Sequence, residues 1–151
     1  MKTFSQIAGL IALVSIMSAC KSTSSTVKKQ TDGITEKYWK LIEINGKPVV
    51  WDEIAQREAF IILKDEDHRV NGSGGCNTLS GTYEIDRMAN RIKFSQMAST
   101  MMACLNMAIE NELKRALEMA DNYSLSTDGK YLSLNRMRMA PLARFEVVYL
   151  R

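Results

Sequence analysis

From Tyr38 onward, apolar residues recur mostly at every second position, and polar turns punctuate them. Tyr38-Trp39-Lys40-Leu41-Ile42-Glu43-Ile44 has the aromatic and β-branched content of a strand, and Asn45-Gly46-Lys47-Pro48 supplies turn chemistry after it. The run 59–64 is mostly apolar and reads as a strand buried on both faces; the polar turn 65–68 breaks it and 69–73 resumes it. Within 82–86, Tyr83 and Ile85 share one face, and within 91–94 Ile92 and Phe94 do the same. Arg87-Met88-Ala89-Asn90 joins these two runs as a hairpin. Segments 123–126 and 131–134 flank Thr127-Asp128-Gly129-Lys130, whose Asp-Gly is a strong hairpin signal, and 144–150 closes the chain as a strand.

The period changes once. Across 106–120, Ile109, Leu113, Leu117 and Ala120 fall at helical spacing. Asn106 is a suitable N-cap, Glu110 and Glu112 lie near the positive end of the helix dipole, and Lys114 and Arg115 come later. One main helix among roughly seven short strands joined by tight turns predicts an α+β fold. Its sheet is expected to be mostly antiparallel and curled into a partial barrel, which limits exposed edges.

The chain before Tyr38 follows another pattern. Lys2 precedes an apolar stretch, Ile7 to Ile16, and small residues lead to Cys20, which is the layout of a secretory signal over 1–19. The stretch is too short to span a bilayer, which takes about 20 apolar residues. Met17-Ser18-Ala19-Cys20 resembles a lipobox, in which the cut falls before the cysteine and Cys20 takes the lipid; an ordinary signal cut nearby is the alternative. Two or three acyl chains anchor stably, at about 0.8 kcal/mol per buried CH2. Lys21 rather than Asp follows the cysteine, so the expected location is the outer membrane, facing the periplasm. The polar residues 20–37 read as a flexible tether, leaving one domain over 38–151.

Charge excludes one class of partner. There are 20 basic and 17 acidic side chains, a net +3, and the basic residues cluster only at Lys28-Lys29, so nucleic-acid binding is not expected. Gly72-Ser73-Gly74-Gly75-Cys76-Asn77 opens like a phosphate loop but lacks the final glycine, a following helix and a Walker lysine. A bulge or tight bend accounts for those glycines better. A cysteine nucleophile needs a histidine, and the domain's one histidine, His68, sits in an acidic turn. No catalytic set emerges and no cofactor is implied. With Cys20 acylated, Cys76 and Cys104 remain, and a pair in an oxidising compartment is expected to form a disulfide. Met97, Met101, Met102, Cys104 and Met107 crowd one stretch. Their soft sulfurs suit Cu(I), but methionine also fills irregular core gaps, and a disulfide would remove Cys104 as a ligand.

Three segments in register resemble the META domain (HslJ-like) family. They are Trp39-x-Leu41 with Asn45-Gly46-Lys47-Pro48-Val49, Gly74-Gly75-Cys76-Asn77-x-x-x-Gly81-x-Tyr83, and Thr100-Met101-Met102-Ala103-Cys104. The resemblance implies a compact, mostly antiparallel fold with a helix, often on a secreted or lipid-anchored bacterial protein. It implies an association with heat-shock or envelope stress and, in some relatives, with antibiotic tolerance or motility. It brings no established reaction and no catalytic residues. Both motif cysteines are present, in agreement with their pairing. The motif positions to be placed are Trp39, Gly46, Gly75, Asn77, Gly81, Tyr83, Thr100, Met102 and Ala103. The expected function is non-catalytic support of envelope integrity or stress tolerance through an unidentified protein partner. The alternative is a periplasmic small-ligand or Cu(I) binder using segment 97–107.

Overall fold

A computed structural model describes residues 33–51, 57–105 and 107–149. The signal segment, Cys20 and Asn106 therefore lie outside the described residues.

Nine strands and one helix are found among the described residues. The strands are β1 (Tyr38–Ile44), β2 (Lys47–Pro48), β3 (Phe60–Leu63), β4 (Arg69–Ser73), β5 (Thr78–Asp86), β6 (Arg91–Ser99), β7 (Asn122–Leu125), β8 (Tyr131–Asn135) and β9 (Ala143–Val148). The helix α1 (Ala108–Met119) lies between β6 and β7. Every pairing is antiparallel, and β1 also pairs β9, so the sheet closes into a ring. Closure leaves few free strand edges, which completes the curl expected from the many short strands. The short β2 hangs on the far half of β1, opposite Glu43 and Ile44.

Alternation decides which side chains face inward, and two bulges reset it. In β1, Trp39 and Leu41 are buried; a register shift between Leu41 and Glu43 then turns Ile44 inward in place of Glu43. In β6 an extra residue lies opposite the Ser80–Thr82 step of β5, where Gln96 takes φ 53°. The 59–64 run, expected to be buried on both faces, is instead a half-buried strand. Ile61 and Leu63 point into the core, while Phe60 stacks on Tyr38 across the outer face at 4.3 Å.

The seam between β6 and β7 is a single pair, Arg91 opposite Asn122. Helix α1 lines it: Lys114 Nζ donates to Ser99 Oγ at 3.0 Å near one end, and Ile92 N–H donates to the Asp121 carbonyl at 3.3 Å near the other. Leu113, Ala116 and Leu117 of α1 join Trp39, Leu79, Tyr83 and Phe145 in one core. Burial of each large side chain there contributes about 1.5–3 kcal/mol.

The core reaches further back than the expected boundary at 38. Ile34 and Thr35, assigned above to the tether, are buried. The Ile34 carbonyl accepts a 2.7 Å hydrogen bond from Trp39 Nε1, and Glu36 N–H donates to the Leu63 carbonyl.

Candidate functional site

The glycine-rich stretch makes the bend between β4 and β5. Gly72 is still within the β4 ladder, opposite Ile61 and Leu79. Gly75 takes φ 107°, a conformation that costs any other residue heavily. The turn is closed by Gly74 N–H to the Asn77 carbonyl at 2.9 Å and Gly75 N–H to Ser73 Oγ at 3.1 Å. A strand follows, so the bend reading holds over the phosphate-loop reading.

Just past the bend, Cys76 is bonded to Cys104, with Cα atoms 6.2 Å apart. That bond ties the segment between β6 and α1, a strap over residues 100–105, to the head of β5. Asn77 ties it again. Its Oδ1 accepts from Thr100 Oγ1 at 2.8 Å and from Met102 N–H at 2.7 Å. Its Nδ2 donates to Glu110 Oε1 at 2.9 Å, and its backbone N–H donates to Glu110 Oε2 at 2.7 Å. Thr100 Oγ1 also accepts from Thr78 N–H at 3.1 Å. Bend, strap and helix start are thus joined through one buried amide.

Glu110 lies in the first turn of α1, near the positive end of the helix dipole as expected, but its burial was not anticipated: it is only 2 % exposed. Its spacing carried the signal, since it lies three and seven residues before Leu113 and Leu117 and shares their inward face. Helix α1 begins at Ala108, and Met107 at its N-terminus makes no side-chain cap.

The other motif positions serve the same scaffold. Trp39 is buried and bonded to Ile34, and Gly46 sits at φ 76° in the β1–β2 turn. Gly81 lies at the β5–β6 bulge, where any Cβ would collide with Met97 and the Ser95 carbonyl. Tyr83 donates from its hydroxyl to the Lys64 carbonyl at 2.9 Å, and burial first, then the Asp65 charge, pushes its phenol up to about 12. His68 is exposed and tilts over the Tyr83 ring at 5.5 Å.

The strap presents its side chains outward. Met101 is 98 % exposed, Met102 is half exposed, and Ala103 and Leu105 also face solvent. Beside them is a groove of about 420 Å³ that includes Ser99, Met107 and Lys114. The five sulfurs grouped above do not share one environment: Met97 packs on the core, Met101 points to solvent and Cys104 is in the disulfide. Among the described residues no cluster of three His, Cys, Asp or Glu side chains is placed to hold a metal ion.

These features define a small antiparallel ring domain whose polar motif residues knit a disulfide-bonded strap to a bend and a helix. The META domain family matches residues 32–149, and the chain belongs to it. Two solved structures share the fold. One is a protein from Burkholderia xenovorans determined by NMR, with TM-score 0.56 and 19 % identity, covering 76 % of this chain and 83 % of that one. The other is a DUF4847 family protein from Bacteroides vulgatus, with TM-score 0.54 and 18 % identity, covering 77 % of this chain and 95 % of that one. No curated protein matches the chain.

Proposed function

We propose that this META domain is a non-catalytic docking module of the bacterial envelope, carried on a lipid at Cys20. In this reading it sits at the outer membrane facing the periplasm and supports stress tolerance by holding a protein partner. One observation carries the docking reading. Met101, Met102 and Leu105 stand in solvent on a strap whose backbone is fixed by a disulfide and by Asn77. Apolar side chains held rigidly outward lose little entropy when a partner covers them. The non-catalytic reading is supported by the polar motif groups. Asn77, Thr100 and Glu110 commit hydrogen-bonding atoms to one another and to backbone, a structural use of these groups.

The test is crosslinking in intact cells from a photoreactive residue at position 105, followed by mass spectrometry. A captured partner that disappears in Met101→Asp/Met102→Asp, with thermal stability unchanged, supports the reading. Capture that ignores both substitutions sinks it. For the anchor, Cys20→Ser is expected to abolish lipid labelling, and persistent labelling would overturn that assignment.

A further inference from the structure

Among the described residues, the large apolar side chains left in solvent are Val50, Met88, Met101, Met102, Leu105, Met137, Met139 and Tyr149. Five of these eight are methionine, while isoleucine and phenylalanine are missing from the set. The five methionines fall on separate segments: the β5–β6 turn, the strap and the β8–β9 loop. A single docking face does not explain residues spread this way. Packing does not explain them either, because solvent surrounds them. What the five share is a thioether.

We infer that these surface methionines form a sacrificial sink for two-electron oxidants such as hypochlorous acid and hydrogen peroxide. Cys76 and Cys104 are bonded to each other, so among the described residues the reduced sulfur open to solvent is thioether sulfur. With hypochlorous acid the sulfur lone pair attacks chlorine, and the O–Cl bond breaks with loss of hydroxide. Water then displaces chloride from the chlorosulfonium, and two protons leave as the S–O bond forms, one of them neutralising the hydroxide. With peroxide the sulfur lone pair attacks an oxygen directly, the O–O bond breaks and water leaves. The sulfur loses two electrons and the oxidant gains two. The product is methionine sulfoxide, which sulfoxide reductases return to methionine.

Oxidation disrupts proteins when it makes a packed methionine polar. Met88, Met101, Met137 and Met139 are 65–98 % exposed, so their sulfoxides displace no core neighbour. The backbone around Met137 is held by other groups: its N–H donates to Asp121 Oδ1 at 2.8 Å and its carbonyl accepts from Asn122 Nδ2 at 2.9 Å. Exposed Arg136 and Arg138 flank Met137 and Met139, which keeps this loop in solvent.

The test is limiting hypochlorous acid added to the full-length chain, followed by peptide mapping. Met88, Met101, Met137 and Met139 are expected to gain oxygen several-fold faster than Met97, Met107 and Met119, with the thermal midpoint and the disulfide unchanged. A triple variant, Met88→Leu/Met137→Leu/Met139→Leu, leaves the strap intact and so retains any crosslinked partner. It is expected to protect a co-incubated reporter enzyme less than the parent does. Equal rates at all methionines, unfolding with the first equivalents of oxidant, or undiminished protection by the triple variant would each overturn the inference.

Discussion

At position 77 an amide and a carboxylate of equal size have opposite consequences. Asn77 Nδ2 faces Glu110 Oε1 at 2.9 Å in a buried setting, so Asn77→Asp sets two carboxylates against each other there. Loss of about 3 kcal/mol or more is expected in denaturant unfolding. Adding Glu110→Gln restores a donor opposite the new acceptor, and the double variant is expected to recover much of that loss; failure to recover would show that the pair does not interact as described. Tyr83 gives a second outcome at this scale. Its phenol titrates at about 12 against an ordinary 10.0. The folded state thus favours the neutral form, and this contribution is whole below pH 10 and drains away as pH rises toward 12. Tyr83→Phe is expected to flatten that alkaline decline in a stability–pH profile. The positions of Asn77 and Tyr83 were legible as motif residues in the sequence. The partner of Asn77 was not, because a glutamate in the first helical turn also reads as a dipole complement.

Among the elements, turns and alternation were readable and bulges were not. The Asp128-Gly129 turn between β7 and β8 forms as expected, with Gly129 at φ 71° and Gly129 N–H bonded to the Ser126 carbonyl. β5 and β6 run longer than 82–86 and 91–94 because the bulge at Gln96 carries the pairing on to Leu79 and Ser99. The bulge shifts the phase of β6, so its alternation does not run on from 91–94, whereas β5 alternates throughout with Leu79, Gly81 and Tyr83 buried. The strap was legible as the Thr100–Cys104 motif, and its attachment through the cysteine pair. Cys76 and Cys104 lie 28 residues apart, and chain-entropy arithmetic for that loop gives about 3–4 kcal/mol. Reduction, or Cys76→Ser/Cys104→Ser, is therefore expected to lower the thermal midpoint by about 10 °C or more. An unchanged midpoint on adding reductant would contradict a stabilising role for the bond.

For the molecule as a whole, acid is the expected weak side. Glu36 is held below its ordinary range first by the Asp65 N–H and then by Lys64, and Asp121 first by the Met137 N–H and then by Asn122. Asp128 is held low first by the Ser126 hydroxyl and then by the Lys130 N–H. These groups brace the β3–β4 turn, the β8–β9 loop and the β7–β8 turn respectively. Lowered carboxylates contribute stability above their ordinary values of 3.8 to 4.5 and lose it as pH falls through their folded ones. Stability is expected to stay level through neutral pH and to decline below about pH 4, less steeply in Asp121→Asn/Asp128→Asn. The overall class, one helix with an antiparallel curled sheet, was legible from the count of short strands. Closure was not, because the pairing of β1 with β9 joins the two ends of the domain and leaves no local trace.

That closed wall has one place where it can part cheaply. Elsewhere, separating neighbouring strands breaks several ladder bonds at once, whereas β6 and β7 share a single pair backed by the packing of α1. Swinging the helix aside would unlatch the domain there, like a lid lifted from its rim, with β4 and β5 still zipped together. In native-state hydrogen exchange, the amides of Ile92 and Tyr123 are expected to trade their protons well before those buried in the β4–β5 ladder.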